Sequence, residues 1–236
     1  MDRENVFKSY QLDPDPHGSI KFQLQEMPKF FADNGRGPKE PHIHTFYQII
    51  WFRRGHGSHF VDFKEYPVTD NTLFFLSPGQ VHYFEENDDF EGYVIHFNED
   101  FMSDEGSSEN VFLKYNLFNA FDAVPYYNMT EADTERLEYI VSEMKAELEN
   151  ETVFAHGDVL KYLIKLFLIH VQRLGIRGTG IPLCINNSSN RTFVRFRQML
   201  EHHYRDIHTV KEYASMLNVS TKTLTNCVYE GSHSTP

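Results

Sequence analysis

Three histidines stand at spacings that let them converge on one small site. Pro41-His-Ile-His-Thr-Phe-Tyr-Gln carries His42 and His44 with Gln48 four residues further on, and Pro78-Gly-Gln-Val-His carries His82. Along a strand alternate residues share a face, so His42, His44, Phe46, Gln48, Ile50 and Phe52 project together. Turned inward, that face presents two imidazoles and a carboxamide to an otherwise apolar interior. Buried polar groups need partners, and a cavity with a few convergent polar groups is what a small-ligand site requires. His82 follows a Pro-Gly turn on another strand and is expected in the same cavity. Two alternatives stay open at this point: hydrogen-bonded barrel residues with no ligand, or three imidazoles holding zinc or iron.

The second constellation is Thr209-Val-Lys-Glu-Tyr-Ala-Ser-Met-Leu-Asn-Val-Ser-Thr-Lys-Thr-Leu-Thr. Thr209 is a good cap for a helix whose inner face is Val210, Tyr213, Ala214 and Leu217. Asn218 tolerates left-handed backbone and supplies the turn, and Ser220 caps a following helix with Leu224 and Val228 inward. Two short helices at a sharp angle make a helix-turn-helix, whose second helix enters the major groove. Ser220, Thr221, Lys222, Thr225 and Asn226 are the expected DNA-binding positions.

The elements that must position these residues fall into three stretches. From about Phe22 to Phe97, short runs such as Phe46-Tyr-Gln-Ile-Ile-Trp-Phe and Gly92-Tyr-Val-Ile-His-Phe alternate with Gly and Pro turns, which predicts strands of a barrel or sandwich. Two helices follow. The first starts at Thr130 with Leu137, Ile140, Val141, Met144 and Leu148 at helical spacing. The second runs from about Val153 to Leu174, with Leu160, Leu163, Ile164, Phe167, Leu168 and Val171 on a wide apolar face that suits core or a second subunit. Residues 176–190, rich in Gly, Ser and Asn, read as a linker. Helical spacing resumes with Phe193, Phe196, Met199 and Leu200.

His-x-His with a polar residue four further on, then Pro-x-x-x-His after a strand, resembles the two cupin motifs. In metal-binding cupins the first motif supplies two His and a Glu and the second a further His. His42, His44 and His82 match those positions, while Gln48 replaces the carboxylate and makes metal the weaker reading. The wording of Pro41-His-Ile-His-Thr-Phe-Tyr-Gln-Ile, Leu73-Phe-Phe-Leu-Ser-Pro-Gly-Gln-Val-His and Gly92-Tyr-Val-Ile-His-Phe is similar to the sensory cupin of AraC-type transcription regulators, over about residues 20 to 100.

That resemblance implies an α+β chain: a cupin, jelly-roll-like barrel with two packing helices over 1–175, a linker over 176–190, and a partial all-α DNA-binding domain over 191–236. It implies a ligand-responsive regulator, not an enzyme, with a small-molecule effector, double-stranded DNA and a second copy of itself as partners, and no cofactor. AraC-type DNA-binding regions hold two helix-turn-helix units, and the sequence to Pro236 reads as stopping after the first. The alternatives are a metal-dependent cupin enzyme, or a ligand-binding and dimerisation module without DNA activity.

Charge bears on the DNA reading. The 22 Lys and Arg against 34 Asp and Glu leave a net charge of −12. From Arg191 onward the balance is +2 and before it −14, so only the C-terminal end is suited to approach phosphate. Met1-Asp-Arg-Glu-Asn opens no apolar signal segment, and no run is long enough to span a bilayer, so the expected location is the cytoplasm, without a membrane partner. Cys184 and Cys227 lie in no Cys-x-x-Cys pair and read as free thiols.

Overall fold

In a computed structural model, residues 7–12, 21–85, 89–103, 117–118, 126–150, 152–179, 188–232 and 234–236 are described. Ten strands form two five-stranded sheets. One has the order β1-β3-β8-β5-β6, from Lys8–Tyr10, His42–His44, His82–Phe84, Gly57–Val61 and Lys64–Val68. The other has the order β10-β7-β4-β9-β2, from Tyr126–Asn128, Thr72–Leu76, Tyr47–Arg54, Glu91–Phe97 and Phe22–Glu26. Pairing is antiparallel except between β1 and β3.

The central strand β4 explains the layering. Its even positions Ile50 and Phe52 join Phe74, Leu76 and Val94 from the same sheet and Val61, Val68 and Phe84 from the other in an inner core. Its odd positions Tyr47, Ile49 and Trp51 join Leu73, Phe75, Ile95 and Phe97 on the opposite face. A sheet buried on both faces needs unbroken apolar runs, and β7, Thr-Leu-Phe-Phe-Leu, is buried at every position. The expected parity from His42 to Phe52 therefore holds, with a bend at Thr45-Phe46 carrying the chain from one sheet to the other.

Helix α1, Met27–Asn34, was not among the expected elements. Pro28 in its first turn fits the missing amide there, and Gly35 closes it at φ 57, donating to the Phe31 carbonyl at 2.9 Å. Phe30 and Phe31 seal one end of the inner core. A single short amphipathic turn pair carries too little periodicity to separate from a strand. After the four-residue α2, Glu99–Met102, come the two expected helices.

Helix α3, Glu131–Leu148, begins with the Thr130 hydroxyl accepting from the Asp133 amide, and buries Leu137, Ile140, Val141 and Met144. Helix α4, His156–Thr179, buries Leu160, Ile164, Phe167, Leu168 and Val171, with Leu163 half-buried. Both close over the odd face of β4. Fully burying each such side chain is worth about 1.5–3 kcal/mol, so these helices are held by packing rather than propensity.

Helices α5, Ser188–His203, α6, Val210–Met216, and α7, Thr221–Ser232, share a separate core of Phe193, Phe196, Tyr213, Ala214, Leu217, Leu224, Cys227 and Val228. Two expectations need correction. The predicted linker, 176–190, is helical at both described ends, since α4 continues to Thr179 and α5 starts at Ser188; residues 180–187 lie outside the described set, as does Cys184. One glycine costs a helix only about 1 kcal/mol, and Ser and Asn are cap formers, so such a run permits helix ends. Leu200, expected in the core, is 39% exposed because the α5 face turned to α6 and α7 is set by Phe193 and Phe196.

Among the described residues no helix is long and apolar enough to cross a membrane.

Candidate functional site

His42 and His44 are both buried on β3, and β8 places His82 directly opposite His42. The His42 and His82 ring centroids are 4.2 Å apart, those of His44 and His82 4.9 Å. Gln48 arrives from the other sheet, buried on β4. The four ligand-site residues expected from sequence are thus brought together, though on different levels. His42, His44 and Gln48 line a cavity of about 220 Å³ with Phe46, Phe30 and Tyr10. His82, paired with His42 on the neighbouring strand, is fully buried against His42 and His44 and lies outside the cavity lining.

Two imidazoles join the group that sequence reasoning missed. His96 on β9 is the cross-strand partner of Gln48, whose amide Nε2 donates to His96 Nε2 at 2.9 Å. His59 on β5 meets His82 with 3.2 Å between Nε2 and Nδ1. The only signal for either was an inward parity within Ser58-His-Phe-Val and Val94-Ile-His-Phe, and strand register had to be known before it could be used.

Local hydrogen bonds fix the tautomers at the cavity wall. A carbonyl only accepts, so His42 Nδ1 donates to the Glu40 carbonyl at 2.8 Å and His44 Nδ1 to the Phe46 carbonyl at 2.6 Å. Each ring thereby keeps a bare lone pair on Nε2. His44 Nε2 and Gln48 Oε1 are buried without a protein partner. Phe46 stacks on His44 at 4.6 Å and 14°, and its other neighbour is His96 at 4.6 Å.

Burial holds these imidazoles neutral. It pushes His44 down to about 4 against the opposing pull of the Phe46 carbonyl, and His59 and His96 to about 3. His82 lies well below the usual histidine value, chiefly from burial and then from His44 and His42. His42 is lowered by burial and less by Lys8. Among the described residues no group of three His, Cys, Asp or Glu is arranged to hold a metal ion, and both Nδ1 atoms on β3 are engaged by carbonyls.

The C-terminal unit has the expected caps. Thr209 Oγ1 accepts from the Glu212 amide at 3.3 Å, Asn218 sits at φ 55, and Ser220 Oγ accepts from the Thr223 amide at 3.0 Å. Ser220, Thr221, Lys222 and Asn226 are exposed and Thr225 is half-buried, all on the side of α7 away from its core.

The model for the AraC-like ligand binding domain matches residues 33–163, more than half of the chain, from the end of α1 through β3–β10 and α3 into the first turns of α4. The chain belongs to the AraC-like ligand-binding domain family. The α+β, cupin-like architecture expected from its motifs is the one found. Solved structures with a similar trace include the AraC-like transcriptional activator CuxR, at 11% identity and TM-score 0.35, covering 89% of this chain and 66% of that one. ToxT from Vibrio cholerae is another, at 12% identity and TM-score 0.30, covering 91% and 96%. A third is ToxT from Vibrio cholerae strain SCE256 with a bound unsaturated fatty acid, at 11% identity and TM-score 0.30, covering 92% and 90%. No curated protein sequence matches the chain. In this AraC-like domain the matched segment runs through His42, His44, Gln48, His59, His82 and His96.

Proposed function

We propose that the chain is a ligand-responsive, DNA-binding transcription regulator whose effector occupies the cavity beside His42, His44 and Gln48, with His82 packed against the first two rings from the neighbouring strand. The observation that carries this is the pair of buried, unpartnered acceptors on the cavity wall, His44 Nε2 and Gln48 Oε1. Buried polar atoms are nearly always satisfied in native proteins, and each one left alone costs about 1–3 kcal/mol. A bound molecule supplies the missing partners.

The sensing part runs to about residue 175 and the reading part starts near 191. In the latter, α7 enters the major groove with Thr221, Lys222, Thr225 and Asn226, while Ser220 holds the helix start. Two copies associate through α4, where Val159, Tyr162 and Leu166 are exposed at heptad spacing and half-buried Ile169 continues the seam.

The test is a thermal-shift and calorimetric screen of small molecules against the chain and its His44→Leu variant. Ligands that stabilise the first and not the second are expected. A hit whose binding is untouched by His44→Leu places the effector elsewhere.

A further inference from the structure

The two ends of a carboxamide have nearly the same shape, so a half-turn of the terminal torsion exchanges oxygen for nitrogen at little steric cost. Oxygen turned into the cavity asks a ligand for a donor, and nitrogen asks it for an acceptor. Gln11, Gln23, Gln25 and Gln48 all line the cavity. Gln11 is exposed and Gln23 and Gln25 are half-buried, so water can serve either end of those amides. Gln48 is buried, and only protein groups can set which way it faces.

The group that sets it stands opposite. Strand β9 holds His96 between Gln23 of β2 and Gln48 of β4, in one inward row across three strands. Gln48 Nε2 lies 2.9 Å from His96 Nε2. An NH2 group only donates, so the imidazole nitrogen accepts, and the single proton of the neutral ring sits on Nδ1. Phe46 at 4.6 Å and Phe30, edge-on at 6.0 Å, hold the ring in place. Burial keeps it neutral, at about 3, so no second proton arrives on Nε2 in the physiological range.

Resting on the reading of the cavity as the effector site, we infer that His96 is its positioning residue: the His96 Nε2 lone pair holds the Gln48 nitrogen, so that the Gln48 oxygen faces the effector. The two side chains are thereby coupled. Gln48 offers an acceptor and His96 Nδ1–H a donor, and neither reverses without the other. A proton moved to His96 Nε2 would drive the carboxamide through its half-turn and exchange both. The pair suits an effector that donates at Gln48 and accepts at His96, as hydroxyl and carboxamide groups do.

NMR of the ligand-free chain, labelled with 15N on its histidine and glutamine side chains, tests this together with His96→Phe and His96→Gln. Phenylalanine keeps a stacked ring but has no lone pair, while glutamine restores an acceptor oxygen. The wild-type chain is expected to show His96 as the Nδ1–H tautomer. His96→Phe should move the Gln48 NH2 resonances upfield, as for a lost hydrogen bond, and His96→Gln should bring them back. An Nε2–H tautomer, or a Gln48 NH2 pair indifferent to His96→Phe, overturns the assignment. The tautomer is read on the unaltered chain, so a variant that fails to fold leaves the test intact. No ligand is added, so either failure removes the role of His96 alone; the effector reading falls separately, by the His44→Leu screen.

Discussion

His44 and Phe46 are joined twice: their rings stack at 4.6 Å, and His44 Nδ1 donates to the Phe46 carbonyl at 2.6 Å. The two contacts pin the imidazole in plane and in tautomer at the bend between the sheets. This is a preorganised acceptor, and its neutral state sets how the protein responds to acid.

Acid should unfold the sensing domain early. His44, His59 and His96 have folded-state values of about 4, 3 and 3, against an ordinary 6.5 when the chain is unfolded. Below 6.5 the unfolded chain binds protons that the folded one refuses, so stability is complete above that value and drains as pH falls towards the folded values. Each imidazole removes about 2 kcal/mol between pH ~8 and pH ~5. Urea denaturation at the two pH values should show several kcal/mol of difference, and His59→Phe, beside Phe74 and Phe84, should reduce the slope by about 1.4 kcal/mol per pH unit. A flat profile would mean the imidazoles are not buried neutral.

Gly92→Ala should cost about 2–3 kcal/mol. Gly92 sits at φ 147, and a Cβ there would lie 1.8 Å from the Trp51 carbonyl, opposite the irregularity between Phe52 and Arg54. Thermal unfolding measures it directly; an unchanged Tm would show that the strand pair relaxes freely.

Tyr162→Glu together with Leu166→Glu should convert a dimer to monomer while leaving the fold intact. Both side chains are exposed, 65% and 42%, so they contribute little to the packing under α4. Sedimentation equilibrium and far-UV circular dichroism read the two halves of this statement. A wild-type chain that stays monomeric over the micromolar range removes the seam from consideration.

Lys222→Ala should weaken DNA binding similarly on all sequences and reduce the slope of log K against log salt by about 1, as expected for one lost phosphate contact. Thr225→Ala should instead relax sequence preference. Fluorescence anisotropy over a range of salt concentrations, on operator and unrelated duplexes, reads both effects. Ser220→Ala, by contrast, should act through stability, about 1 kcal/mol for the lost cap.

The legible parts of the fold were those written in one continuous period. From His42 to Phe52 the parity carries through the bend at Thr45-Phe46, so the inward set, including Gln48, can be listed before any strand is paired. The helix caps at Thr130, Thr209 and Ser220 are local chemistry and were equally readable. His59 and His96 were not, because each belongs to the cluster only through register, with Gln48 opposite His96 and Val61 opposite His82. The tautomers were hidden for the same reason: they depend on carbonyls of Glu40 and Phe46 that a bent backbone turns back towards the rings. Helix α1 escaped because eight residues, Pro28 among them, offer no repeating stripe.

Strand β4 is a party wall between two rooms, with Gln48, Ile50 and Phe52 furnishing one and Tyr47, Ile49 and Trp51 the other. Sliding it by one residue would carry the carboxamide under the helices and push an indole into the cavity, so the strand has no cheap second register. The wall is also fastened to the room behind it: Arg53, next along the strand, binds Glu138 of α3.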